Sequence, residues 1–252
     1  MDNDVAGKVI VLLGGTGGIG LALARGLRNA GATVIPSSRR KDRIEQALLE
    51  LDNPAVPAIP CDSTDEADVT RLRDAVLERF GRVDGLVHAA GVHLRKPARE
   101  TGVEEWQQVV ESNLTGAFVA CRTFAEPMIA QRDGRIVTVT SVGARVALRD
   151  AAAYCASKGG VEQLTKVLAV EWAEYGITVN ALAPGFFLTE LNAEILAPGT
   201  ERRRTVDSRI PLGRTGSPDE LAGAVVYLCS DGARYTTGTT IEVDGGFLAE
   251  GI

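Results

Sequence analysis

Lys8-Val9-Ile10-Val11-Leu12-Leu13-Gly14-Gly15-Thr16-Gly17-Gly18-Ile19-Gly20 is the stretch that carries the fold. Its apolar run is short and stops at glycine, so it reads as a strand buried in a parallel sheet. Five of the seven residues from 14 to 20 are glycine, more than a plain strand–turn–helix junction needs. The spacing is Gly14-x-x-x-Gly18-x-Gly20 rather than G-x-G-x-x-G. The physical uses are similar: one glycine makes the tight turn, one lets a phosphate approach the backbone, and one lets the helix pack closely. The helix that follows, Ile19–Asn29, places Leu23 and Leu27 on one face. Gly31 is its C-terminal stop. Free N–H groups at the start of that helix face the place a pyrophosphate would take.

Working outward, strand and helix patterns alternate along the chain. Thr33–Ser37, Val56–Cys61, Val83–His88, Arg135–Thr140, Ile177–Leu182 and Thr239–Val243 read as further strands. Pro36 is awkward inside the first of these, because proline donates no ladder hydrogen bond. Helical stripes cover Asp65–Phe80, Glu104–Ile129, Tyr154–Glu174 and Pro218–Ser230. Such alternation predicts α/β architecture in three layers, with a parallel sheet between helices. No strong linker divides residues 1–252, so one domain is expected. The rhythm breaks between Gly185 and Pro218. Residues 186–217 read as a substrate lid or, alternatively, as a surface excursion with a short helix.

Composition removes several classes of function. A net charge of -6, from 27 basic and 33 acidic residues, gives no reason to expect a nucleic-acid partner. No apolar run approaches the ~20 residues a membrane span needs. The acidic start is a poor secretory signal, and a cytoplasmic location is expected. Cys61, Cys121, Cys155 and Cys229 lack metal-ligand spacing, and His88 and His93 are the only histidines, so no metal is expected.

Two groups of residues point to chemistry. Ser37-Ser38-Arg39-Arg40 ends the second strand, where an adenosine ribose would sit. No Asp or Glu lies between Arg28 and Lys41. Arg39 can clamp a 2′-phosphate, Ser38 can donate to it and Arg40 can add charge, which predicts NADP over NAD. The alternative is that both arginines are solvated charges at a helix start. Asp62 can accept from an adenine amino group or simply cap a turn. The second group is Tyr154 and Lys158, four apart on one helix face. A nearby ammonium lowers a phenol's pKa and suits Tyr154 to proton transfer at a carbonyl or alcohol oxygen. Ser141, at a strand end, can orient that oxygen or make only a local hydrogen bond. Asn113, inside a helical pattern, can bend the helix and hold a water linked to Lys158, or be satisfied by backbone.

With these residues in place, the chain resembles the short-chain dehydrogenase/reductase family over essentially its whole length. The shared marks are Gly14, Gly18-Ile19-Gly20, Asp62, Ala90-Gly91, Asn113, Ser141, Tyr154-x-x-x-Lys158, Pro184-Gly185 and Asp244-Gly245-Gly246. The resemblance implies a Rossmann fold with a seven-stranded parallel sheet, helices on both faces, and a homotetramer. It implies Tyr154 as general acid/base, Lys158 on the nicotinamide ribose, Ser141 on the substrate and Asn113 on a relay water. Ile19 would border the pyrophosphate within the turn formed by Gly14, Thr16, Gly17, Gly18 and Gly20. Asp62, Ser63, Ala90 and Gly91 would lie along the adenosine half, and Pro184, Gly185, Phe187 and Thr189 along the nicotinamide. Two departures stand out. Leu13 replaces a common Thr, and His88-Ala89-Ala90-Gly91 replaces Asn-Asn-Ala-Gly. Ala89 removes a bridging amide, and His88 is a candidate to supply one of the missing bonds.

Gly185–Asn192 and Arg209–Arg214 resemble gluconate 5-dehydrogenase and related sugar-acid or polyol dehydrogenases, and overlap 3-oxoacyl-carrier-protein reductases. Arg95, Arg145, Arg149 and Arg209 are candidate anchors for a carboxylate or, alternatively, surface charges. The expected function is therefore NADP(H)-dependent interconversion of a secondary alcohol and a ketone on a small hydroxylated acid or polyol. The alternatives are a 3-oxoacyl thioester or small-ketone reductase and, from another class, a regulatory protein that binds NADP without turnover.

Overall fold

In β1 (Val9–Leu13) every residue is buried, as a strand covered on both faces requires. The computed structural model describes residues 5–189, 193–194 and 196–250. After β1 come α1 (Gly18–Asn29), β2 (Thr33–Ser37), α2 (Lys41–Glu50), α3 (Glu66–Phe80) and β3 (Gly85–His88). Next are α4 (Val103–Val110), α5 (Gly116–Gln131), β4 (Gly134–Val139), α6 (Ala152–Trp172) and β5 (Ile177–Pro184). The remaining elements are α7 (Glu201–Asp207), α8 (Ala222–Cys229) and β6 (Thr240–Val243).

The strands form one parallel sheet in the order β2-β1-β3-β4-β5-β6. Alternate β1 residues serve opposite faces, because side chains on a strand alternate. Val9, Val11 and Leu13 pack with Leu72, Phe124 and Leu168 from α3, α5 and α6. Ile10 and Leu12 pack with Leu23, Leu27, Val225 and Leu228 from α1 and α8. This is the three-layer Rossmann arrangement. The chain leaves β1 toward β2 on one side and continues through β3 on the other, which opens a crevice at the C-terminal ends of β1 and β3.

Six strands form the sheet among the described residues, not the seven the resemblance implies. Val56–Cys61 runs beside β2 without joining it as a strand. Pro57 and Pro60 supply no N–H, so a regular ladder fails there. What remains are single bonds. Ser37 Oγ donates to the Ile59 carbonyl (2.7 Å), and Cys61 N donates to the Ser38 carbonyl (2.9 Å). Pro36 is tolerated within β2 for a related reason. Thr33 N donates to Lys8 O and Ser37 O accepts from Gly14 N, so the odd-numbered residues face β1 and Pro36 faces the other edge.

The helix expected over Glu104–Ile129 is interrupted. A single π-type turn, Glu111–Thr115, separates α4 from α5 and carries Asn113. Helix α2 was not apparent in the sequence; it buries only Ile44, Ala47 and Leu48, too short a stripe to stand out. Among the described residues, no helix is long and apolar enough to cross a membrane, and no group of His, Cys, Asp or Glu is arranged to hold a metal.

Candidate active site

The glycine turn divides its labour as the spacing suggests. Gly14 has φ +81°, and a Cβ there would lie 2.5 Å from Ala90 N, so only glycine lets the ends of β1 and β3 meet. A Cβ on Gly20 would lie 2.0 Å from the Gly14 carbonyl, so Gly20 brings α1 against the turn. Gly17 faces open space and caps α1 without a side-chain hydrogen bond. The leading amides of α1 therefore remain available to an anion. Thr16 and Ile19 flank these amides. Thr189 returns to this point, its Cβ 3.8 Å from where a Gly18 Cβ would be.

The corner after β2 is open. Arg39 is exposed, and among the described residues no carboxylate pairs with it. Arg40 caps the start of α2 and pairs with Asp42 at 3.1 Å. Ser38 Oγ reaches only the Arg40 carbonyl, at 3.4 Å. Asp62 accepts from both Thr64 N (3.0 Å) and Thr64 Oγ1 (2.8 Å), a turn cap within its own loop. Ser63 is buried against Gly116.

At the centre of the crevice, Asn113 is buried and its amide is held at both ends. Its Oδ1 accepts from Val92 N (2.7 Å), and its Nδ2 donates to Val92 O (3.0 Å) and Ser157 Oγ (3.0 Å). Ser157 Oγ donates in turn to the Tyr154 carbonyl (2.7 Å). The π-turn thus aims one amide at both the loop after β3 and the first turn of α6. A Cβ on Gly91 would lie 2.9 Å from Asn113 Oδ1 and 3.5 Å from Lys158 Nζ, so this loop passes over both.

Ser141 follows β4 and is held by a bond from Gly143 N to its Oγ (3.0 Å). Tyr154 and Lys158 lie on α6, with Lys158 Nζ 5.9 Å from the phenol ring centre. Lys158 Nζ donates to the Val139 carbonyl (2.8 Å), and burial lowers its pKa to about 8. The phenol differs from expectation. Burial raises the Tyr154 pKa above the ordinary value, while a hydrogen bond with Ser141 opposes that rise. The ammonium is turned onto the Val139 carbonyl, so desolvation outweighs its attraction for a phenolate.

Pro184 ends β5, and Gly185 N donates to Val243 O (2.9 Å). A Cβ on Gly185 would lie 2.7 Å from Asp244 Cα. Phe187 is buried in the core cluster shared with α1 and α8, its ring against Gly216. Glu190, Leu191 and Asn192, part of the stretch that resembles sugar-acid dehydrogenases, lie outside the described residues. Of the four candidate carboxylate anchors, Arg145 is committed to Glu162 (2.6 Å) and Glu242 (3.4 Å).

The two histidines take contrasting places. His88 is buried at the end of β3, and its Nε2 has no hydrogen-bond partner, so that nitrogen does not replace the lost amide. Burial, followed by the charge of Lys158, lowers its pKa to about 3. His93 packs its ring against Tyr154, centroids 4.4 Å apart, a placement with no signal in the sequence.

Comparison with known proteins agrees with this geometry. A family profile described as Enoyl-(Acyl carrier protein) reductase matches residues 14–248. The chain is 38% identical over 250 residues to 3beta-hydroxysteroid dehydrogenase 1 of Eggerthella lenta, covering 98% of this chain and 95% of that protein. It is 38% identical to D-threitol dehydrogenase of Mycolicibacterium smegmatis, covering 96% and 93%. The structure of a gluconate 5-dehydrogenase from Burkholderia cenocepacia in complex with NADP and tartrate superposes with a TM-score of 0.93 at 34% identity, covering 99% and 98%. The glycine turn, the Tyr154–Lys158 helix and these matches along nearly the whole chain lead to one conclusion: the protein belongs to the short-chain dehydrogenase/reductase family of oxidoreductases.

Proposed function

We propose that this chain interconverts a secondary alcohol and a ketone on a sugar acid or polyol, using NADP(H). The observation that carries the reading is the meeting of Ser141, Tyr154 and Lys158 at one end of the sheet with the uncapped start of α1. The residues present fit a dinucleotide. Gly17 leaves the α1 amides clear, and Arg39 is an exposed cation with no competing carboxylate among the described residues. Gly14, Thr16, Gly17, Gly18, Ile19 and Gly20 would hold the pyrophosphate. Ser38, Arg39 and Arg40 would hold the 2′-phosphate. Asp62, Ser63, Ala90 and Gly91 would follow the adenosine half, and Pro184, Gly185, Phe187 and Thr189 the nicotinamide side.

When bound, the cofactor supplies or accepts the hydride. Ser141 orients the substrate oxygen. Tyr154 gives that oxygen a proton during reduction and takes it back during oxidation. Its raised pKa keeps the phenol protonated at neutral pH, the form that reduction needs. Lys158 steadies the ribose, and Asn113 holds the loop of Gly91 and Val92 in place. Sugar acids and polyols are favoured by the relatives, whose names include D-threitol dehydrogenase and gluconate 5-dehydrogenase. Arg95, Arg149 and Arg209 remain candidate anchors for a substrate carboxylate.

The reading extends to the whole molecule: residues 1–252 as one domain, 186–217 as a lid over the substrate, a homotetramer, and a cytoplasmic setting. Exposed Val103, Phe118, Val167 and Val170 on α4, α5 and α6 support self-association. Light scattering of the purified protein tests the tetramer, and a monomer at assay concentration removes it. The deciding assay compares gluconate and threitol oxidation with NADP against acetoacetyl-thioester reduction with NADPH. Faster turnover of gluconate or threitol is expected. Dominant thioester turnover overturns the substrate class, and cofactor binding without turnover of any of them favours a regulatory protein.

A further inference from the structure

The loop leaving β3 reaches the crevice with its backbone fixed on both sides. Asn113 holds both the N–H and the C=O of Val92, at 2.7 and 3.0 Å. Residue 93 therefore has little freedom in where it emerges. It emerges against Tyr154: the His93 and Tyr154 ring centres are 4.4 Å apart and tilted by 47°. His93 is exposed while Tyr154 is half-buried, so the imidazole forms the outer wall at the phenol. Among the described residues, no group hydrogen-bonds to the His93 ring. Partial desolvation of the ring against Tyr154, then the Arg95 charge, hold its pKa below the ordinary value. At neutral pH the ring is thus an uncharged donor and acceptor.

An aromatic wall needs no nitrogen, and a solvated histidine needs no fixed backbone. His93 has both properties beside the residue that meets the reacting oxygen. We propose that His93 is a specificity-determining residue that hydrogen-bonds the substrate hydroxyl adjacent to the reacting carbon. The inference rests on the polyol-type oxidoreductase reading above and adds to it the residue that senses a second hydroxyl. A ligand lacking that hydroxyl forgoes this hydrogen bond, which is how a polar group discriminates.

The test compares butane-2,3-diol with butan-2-ol, which differ by that one hydroxyl, as substrates for oxidation with NADP. His93→Phe keeps an aromatic ring against Tyr154 but loses the nitrogens; His93→Gln keeps a donor and an acceptor. The expected result for His93→Phe is a rise of about three- to tenfold in KM for the diol, the loss of one hydrogen bond. Its kcat for the diol and its KM for butan-2-ol stay near wild type, and His93→Gln retains most of the preference for the diol. NADP binding, followed by fluorescence titration, is unchanged in both variants. If wild type turns over and His93→Phe shifts the two substrates equally, His93 only supports Tyr154 and the inference is overturned alone. If wild type binds NADP but oxidises neither these alcohols nor gluconate or threitol, the oxidoreductase reading fails and the inference falls with it.

Discussion

The two ends of the crevice are built differently. Around α6, Asn113, Ser157 and Lys158 are buried, and each is tied to backbone or to a neighbour by bonds of 2.7–3.0 Å. Around β2, Ser38, Arg39 and Arg40 are more open; their bonds are a 3.4 Å contact and an exposed ion pair at 3.1 Å. Under the proposed function the first corner holds a proton-transfer geometry, and a small error in placement there is costly. The second has only to meet a phosphate, whose charge acts over a longer range and tolerates solvated partners. The residues proposed for the chemistry are thus bonded into the core, while those proposed for cofactor choice lie on a more open surface.

Four experiments press on this contrast. The largest effect is expected for Tyr154→Phe, which removes the proton donor at the rigid corner. Turnover should fall about 10³-fold, with the thermal midpoint close to wild type. Steady-state rates and a melt check both halves, and a variant that keeps most of its activity would remove Tyr154 from the chemistry. Arg39→Ala probes the open corner. NADP efficiency should fall about 10- to 100-fold, the worth of a charge-assisted hydrogen bond, with NAD efficiency and stability unchanged. Equal efficiencies for NADP and NAD before and after the change would dispose of the phosphate clamp.

Asn113→Ala breaks the wiring itself. It strands the N–H and C=O of Val92 and should cost about 2 kcal/mol, a Tm loss of about 4–8 °C. A scanning calorimetry trace matching wild type would show that these bonds do not stabilise the corner. The last experiment reads a pH dependence set by His88. Its folded pKa is about 3 against 6.5 for the free group, so it is neutral in the fold at pH 7. As pH falls below that upper value, the unfolded chain takes a proton the fold refuses, and stability drops by about 1.4 kcal/mol per pH unit. The loss ends near the folded pKa, below which both states are protonated. Between pH 6 and 4, His88→Asn should therefore lose less stability than wild type. Parallel slopes in urea titrations would show that other groups govern acid sensitivity.

Most elements could be read from periodicity because strands covered on both faces and helices with one apolar stripe carry strong patterns. Val9–Leu13 and Glu66–Phe80 lie within a residue of expectation. The strand expected at Val56–Cys61 failed for a reason visible in its own letters: Pro57 and Pro60 withhold the donors a ladder needs. The break at Glu111–Thr115 was legible only as an Asn out of place in a helical pattern. Nothing local showed that the amide would clamp Val92, since that bond joins residues 21 apart.

Local residue patterns were enough to specify the layered α/β architecture, the glycine turn and the placing of Tyr154 and Lys158 on one helix face. These follow from short-range sterics and from the repeat of the helix. Only the tertiary structure decided that Lys158 would turn to the Val139 carbonyl, that burial would raise rather than lower the Tyr154 pKa, and that His93 would stand against the phenol. Each depends on which distant segments exclude water from a group and which face it. That balance of desolvation against partners is set by packing between elements, not by the spacing of residues along the chain.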